Sequence, residues 1–373
     1  MREKKSLLEN TAFQSILASF SCIIVGLLVG FIVLFMINSE NALDGILTII
    51  KNYFTYPTKP AALKYLGNTL VKTAPLLMCA LSVQFCYKAG LFNIGAAGQY
   101  VCGAAACLYA ALAWNCPWYI CMILAMVAGA VSGCITGILK AYRNVNEVIS
   151  GIMLNWISLY LTNMLLTKVK ESTSPYTTQL AGANPSALLP SLGLGALFSN
   201  NKYVTIAIPL AIVIAIVIWI VLTKTVFGYE LLATGYNKEA AKYAGMKEKR
   251  NIVVTLVIGG ALAGLGASLL YLTGFEQWSV SQSSVPDMGF NGIAATFLGA
   301  LHPIGTIFSS YFIQHITSGG AYLDKQVYPS QVADLISAII IYLCGFVLFF
   351  KHCLNIYNMK KSHFDKNAKG GKH

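Results

Sequence analysis

About ten runs of apolar residues divide this sequence, at 12–37, 66–89, 94–113, 118–139, 148–166, 203–223, 252–274, 290–301, 304–321 and 332–350, and most approach the roughly 20 residues that cross a hydrocarbon core about 30 Å thick. A backbone surrounded by lipid must satisfy its own hydrogen bonds, so such runs fold as helices. Composition agrees, because only 11% of the 373 residues are charged, against roughly 25% in soluble domains. We expect an all-α polytopic membrane protein in which residues 1–373 form a single transmembrane domain. The first run is too long for a signal-peptide core and lacks an Ala-x-Ala-like exit, so it reads as a retained helix.

Basic residues set the orientation. With the amino terminus in the cytoplasm, most of the 26 lysines and arginines fall on that side. They include Arg2, Lys4, Lys5, Lys88, Lys140, Arg143, the cluster from Lys224 to Arg250 and the basic tail 351–373. Lys51, Lys59, Lys64, Lys168, Lys170, Lys202 and Lys325 fall outside, and Lys72 lies inside a segment near its outer end. The positive-inside rule therefore predicts that both termini are cytoplasmic. A net charge of +12 needs no nucleic-acid partner when a basic face meets anionic membrane lipid.

Two places interrupt the helical pattern. Residues 290–301 make a half-length helix of roughly 18 Å, bounded by Pro286-Asp-Met-Gly289 and His302-Pro303-Ile-Gly305. Lipid does not tolerate the unpaired backbone at such a break, so protein or a water-lined cavity must cover it, as beside many transport pathways. Phe92-Asn93-Ile-Gly95-Ala-Ala-Gly98-Gln99 predicts a second tight bend at membrane depth. Both places combine Phe-Asn, an Ile and a Gly, and paired alanines. This is either the trace of inverted halves or coincidence in a chain rich in glycine and alanine.

Polar residues fall into two groups. From Asn146, the fifth run carries Glu147, Gly151, Asn155, Ser158 and Thr162 on one helical face, opposite Ile149, Met153, Trp156 and Tyr160. That polar face turns away from lipid, either to pack helices or to line a path. Gln314, His315 and Asp334 are further intramembrane polar positions, read as packing or interfacial. The second group is the island 224–250. There Asn237 is placed to cap a short helix over Glu239, Ala240, Ala241 and Lys242, and Gly245 to end it in the left-handed conformation. Such a helix is either a docking element for another protein or an ordinary capped loop.

Enzyme signatures are missing. The sequence has no G-x-x-x-x-G-K-[ST] and no H-E-x-x-H, and its ten cysteines include no C-x-x-C pair. Mostly within apolar runs, the cysteines read as small hydrophobes.

Residues 92–99, Val145-Asn146-Glu147-Val148-Ile-Ser-Gly-Ile-Met-Leu-Asn155, the loop 228–245, and Gly289-Phe290-Asn291-Gly-Ile293 through His302-Pro303-Ile-Gly305 together resemble the permease subunits of ABC importers in the branched-chain amino acid, ribose and nucleoside group. The likeness runs in order along most of the chain, and it is strongest to permeases paired with basic-membrane-protein-type lipoproteins that bind nucleosides. It implies a type II importer-like fold in a bacterial plasma membrane. It also implies a second permease subunit, a paralogue of this one; a cytoplasmic ABC ATPase that holds ATP and Mg; and an extracytoplasmic binding lipoprotein. No cofactor is expected in this chain. Gly235, Asn237, Glu239, Ala240, Ala241 and Gly245 would form the segment seated on the ATPase. Ala97, Leu232 and Ala300 depart from the family pattern, which usually has a glutamate, an arginine and a polar residue there.

The reading is a permease that moves a nucleoside-like solute inward by alternating access, powered by ATP hydrolysis in its partner. Asn93, Gln99, Asn146, Glu147, Asn155 and Asn291 would line or brace the path, where amides exchange hydrogen bonds with an uncharged solute. A simple sugar or a branched-chain amino acid is the alternative cargo. An ion-coupled carrier would show paired intramembrane carboxylates, which only Glu147 approaches. A membrane enzyme lacks its catalytic grouping here.

Overall fold

The computed structural model describes residues 11–353 and 356. Among them each of the ten apolar runs contains a helix, and no named strand forms. In chain order the helices are α1 (Thr11–Ile37), α2 (Ala42–Lys51), α3 (Lys59–Lys88), α4 (Ala96–Ala113), α5 (Trp118–Arg143), α6 (Glu147–Leu166), α7 (Leu180–Ala183) and α8 (Leu194–Leu197). They continue as α9 (Ala207–Lys224), α10 (Val226–Tyr236), α11 (Lys238–Tyr243), α12 (Glu248–Tyr271), α13 (Met288–Leu298), α14 (Pro303–Gly320) and α15 (Ser330–Cys344). Seven of them are long and apolar enough to span a membrane, and an eighth span arises if α15 and the bent segment Val347–Cys353 are one. Helices thus stand at all ten expected positions, but only seven or eight of them qualify as spans, and those of the last three runs are short, broken or less apolar than a simple span.

α3 organises the bundle. Its 30 residues extend roughly 45 Å, and 89% of its apolar window is buried inside the protein. Leu77, Met78 and Leu81 enter one core with α4, α5, α6, α9 and α12. Leu76 and Ala80 enter a second core with α1, α2, α13, α14 and α15. One helix thereby belongs to both cores and joins them.

α5 and α12 cross along a seam of small residues. Ala125, Gly129, Gly133 and Gly137 recur every four positions and therefore share one face of α5. A Cβ on Gly133 would stand 2.1 Å from the Leu256 carbonyl oxygen, and one on Gly129 would stand 2.2 Å from that of Gly260. The backbones touch because side chains are absent, as at small-xxx-small crossings in membranes. The opposite face of α5 exposes Ile123, Val127, Val131 and Ile135, as lipid contact requires.

Both sequence breaks are present, with one boundary moved. The half-helix α13 covers Met288–Leu298 instead of 290–301. It closes with Ala300 N–H on the Phe297 carbonyl at 2.9 Å and Leu301 N–H on Thr296 at 3.1 Å, a Schellman closure. That closure puts Ala300 and Leu301 at positive φ, 54° and 57°, so the helix cannot continue through them. α3 ends in the same way, with Gly90 N–H on Tyr87 and Leu91 N–H on Cys86, both at 3.0 Å.

Candidate functional site

The first break is a buried hydrogen-bonded knot. Asn93 folds back beside α3 and donates to Ser82 Oγ at 3.0 Å and to Gln99 Oε1 at 2.8 Å, while Gln99 Nε2 returns a bond to Asn93 Oδ1 at 3.2 Å. Ser82 is six residues before the end of α3, so the chain re-enters by roughly 9 Å before α4 begins. Asn155 of α6 completes the knot. Its Oδ1 accepts the Gly98 N–H at 2.7 Å, and its Nδ2 donates to the Ile94 carbonyl at 3.1 Å. These are backbone groups that the break leaves without helical partners.

The polar face of α6 turns inward as its spacing predicts. Gly151, Asn155, Ser158 and Thr162 are buried, whereas Ile149, Met153, Trp156 and Tyr160 are exposed. Asn146 caps the helix by accepting the Val148 N–H at 2.8 Å, and Glu147 pairs with Lys140 at 2.7 Å. Asn291 is half-buried on α13. The two Phe-Asn motifs meet: a Cβ on Gly289 would lie 2.4 Å from the Ala97 Cα. Asn93, Gln99 and Asn155 are brought together. Asn146 and Glu147 sit at the start of α6, where the Glu147 carboxylate also accepts from the Phe92 backbone beside Asn93, and Asn291 lies on α13 next to the Gly289–Ala97 contact.

Beneath this knot sits the 224–250 segment. Asn237 Oδ1 accepts the Ala240 N–H at 3.1 Å, so the expected cap on α11 is present. Gly245 has φ +82°, and Met246 N–H bonds the Ala241 carbonyl at 3.0 Å, which ends α11 as its sequence predicts. What the sequence reading missed is α10. Thr225 opens it by accepting the Gly228 N–H at 3.0 Å, a Thr-x-x cap signal that an apolar-run search passes over. Near its end Gly235 meets the turn after α3, where a Cβ would lie 2.6 Å from the Ala89 carbonyl carbon and 2.7 Å from the Gly90 nitrogen. Asn251 of α12 donates to Thr234 Oγ1 at 3.1 Å, and Arg250 pairs with Glu230 at 3.1 Å. α10 is therefore fastened to both long central helices.

The outward face of this segment differs from the expected one. Ala241 is only 3% exposed, so it seats α11 against the protein. Glu239 and Ala240 are exposed, flanked by Tyr236 and Tyr243, each 92% exposed. Large exposed aromatics of this kind anchor protein interfaces. Neither tyrosine stood out in the sequence, because an isolated tyrosine in a polar loop carries no periodic signal.

Three cavities lie away from the knot. One of about 650 Å³ opens between α1 and α14, beside the turn at Gly299, Ala300 and His302. Two more occupy the end of the molecule far from α11: about 320 Å³ around Thr177, Lys202, Tyr271 and Gln277, and about 360 Å³ around Tyr56, Tyr65, Lys72 and Tyr322. Phe275 borders both, beside an ion pair between Lys72 and Glu276 at 2.6 Å.

A helical bundle around one central span, with two re-entrant breaks stacked on each other and a capped, aromatic-flanked segment fastened beneath them, has the architecture of a membrane transport permease. The chain belongs to the family described as the permease component of branched-chain amino acid transport systems, which it matches over residues 65–345. It is similar to the guanosine ABC transporter permease protein NupP of Bacillus subtilis (strain 168), 33% identical over 74% of this chain and 80% of that one. Similarity is equal to the nucleoside ABC transporter permease protein NupB of Lactococcus lactis subsp. cremoris (strain MG1363), 33% identical over 74% and 78%. The glucose ABC transporter permease protein TsgB13 of Haloferax volcanii is 30% identical over 77% of each. This chain is accordingly a multi-pass plasma-membrane permease of an ABC transporter, and ATP hydrolysis belongs to a separate subunit.

Proposed function

We propose that this chain is the permease subunit of an ATP-driven importer of nucleosides, with purine nucleosides favoured. The observation that carries the coupling half of this reading is the backbone contact of Gly235 with Gly90. A push on α11 reaches α10, then the turn after α3, and then the re-entrant knot that opens α4. Asn93, Gln99, Asn155 and Asn291 brace the wall of the path, and Asn146 with Glu147 fixes the start of α6 beside it. The nucleoside half rests on the two relatives named for guanosine and nucleoside transport.

In this reading α11, with Tyr236, Asn237, Glu239, Ala240 and Tyr243 around it, faces a cytoplasmic ATPase that binds ATP and Mg. Both termini are cytoplasmic, consistent with the clustering of basic residues at that end. A paralogous second permease and an extracytoplasmic binding lipoprotein complete a type II importer. Reconstitution of the complex in proteoliposomes tests the cargo. ATP-dependent accumulation of guanosine or adenosine, with no accumulation of glucose or leucine, is the expected result. Accumulation of glucose alone, which the Haloferax relative's name makes the natural second reading, would overturn the nucleoside assignment.

A further inference from the structure

We infer that the cavity bounded by Tyr56, Tyr65 and Tyr322 is an entry subsite that stacks the base ring of an incoming nucleoside, an inference that rests on the nucleoside reading above. Tyr56 and Tyr65 are parallel, with centroids 4.3 Å apart and planes 2° apart. Tyr322 meets both edge-on, at 5.7 and 6.1 Å. All three are half-buried and line the same space of about 360 Å³, within the roughly 300–1,000 Å³ typical of small-molecule pockets. Tyr56 and Tyr65 cover one face of each other, so the base would stack on an outer ring face turned to the cavity, which accepts any base because every base has a π-face.

The rest of the lining is polar in the way a nucleoside requires. Asn68, Lys72, Gln314 and Thr317 border the cavity and supply amide, ammonium and hydroxyl groups for base edges and sugar hydroxyls. The Lys72 ammonium is already paired with Glu276 at 2.6 Å, so the site presents little net charge and suits an uncharged solute. Position supports entry rather than exit. Tyr56 precedes the start of α3, whereas Gly235 and the coupling segment meet the other end of that helix, roughly 45 Å away.

The test uses the reconstituted complex. Tyr65→Leu is expected to raise KM for guanosine uptake about tenfold with kcat and ATP hydrolysis unchanged, and Tyr65→Phe to stay within about twofold, since the ring is kept. Should Tyr65→Leu fail to assemble, Thr317→Cys supplies a second readout in the presence of all three tyrosines. Guanosine, but not ribose, should protect the introduced thiol from maleimide, as read by mass spectrometry. An unchanged KM in assembled Tyr65→Leu, or equal protection by ribose, would overturn the subsite while leaving nucleoside transport intact. Wild-type complex that moves no nucleoside would remove the reading on which the subsite rests, and the subsite with it.

Discussion

At the scale of single residues, Asn155 shows how a polar side chain in a membrane helix earns its place by serving backbone. Both of its hydrogen bonds go to main-chain groups of the break, so Asn155→Leu should destabilise the permease by about 0.6–2 kcal/mol. Uptake per assembled complex should stay at the wild-type value, measured by scintillation counting against quantified complex. A fall in that ratio would make Asn155 a contact for the solute. Ala300 offers the opposite case, a residue held in a left-handed conformation that glycine occupies freely, at the position Gly90 fills in the matching closure of α3. Relief of that strain, set against the extra entropy of an unfolded glycine, should make Ala300→Gly more stable by up to about 1 kcal/mol. Thermal unfolding in detergent reads this as a raised midpoint, and a lowered one would contradict it. The caps at Asn146 and Asn237 were legible in the sequence because a cap and its target are two or three residues apart. The partners of Asn155 were not, since they lie 57 and 61 residues away.

At the scale of elements, apolar run length identified the ten helix-bearing segments but misjudged two details. α10 was hidden because Gly228, Thr234 and Gly235 lower its helical signal, and those same residues are the ones that pack it tightly. Gly228 lies where a Cβ would be 2.1 Å from the Val221 carbonyl oxygen. The end of α13 was placed too late because the Schellman closure falls on Ala300 rather than on a glycine. The α5–α12 seam allows a sharp test of packing. Gly133→Leu must push two backbones apart and should cost at least about 3 kcal/mol, with little folded protein recovered by size-exclusion chromatography. Val131→Leu, on a side chain 55% exposed, should be recovered like the wild type. Equal recovery of both variants would mean the seam is looser than its contacts imply.

At the scale of the whole molecule, α3 joins a large core to a smaller one, and the two re-entrant motifs touch along its flank. The 224–250 segment grips the end of the same helix through Gly235. The fold class was legible because lipid imposes run length and charge asymmetry on any polytopic chain, whereas the family rested on the resemblance carried by residues 92–99, 145–155, 228–245 and 289–305. The outer tyrosine cavity was not, because Tyr56, Tyr65 and Tyr322 come from distant parts of the sequence that only the fold assembles. The central claim is that motion at α11 reaches the transport path through Gly235. Its most direct measurement is the amount of nucleoside imported per ATP hydrolysed by reconstituted complex carrying Gly235→Val. A side chain there cannot coexist with the Ala89–Gly90 turn. The account predicts that ATP hydrolysis persists while import per ATP falls by about 5- to 150-fold, the range of a coupling of about 1–3 kcal/mol. An unchanged ratio in fully assembled complex would contradict it.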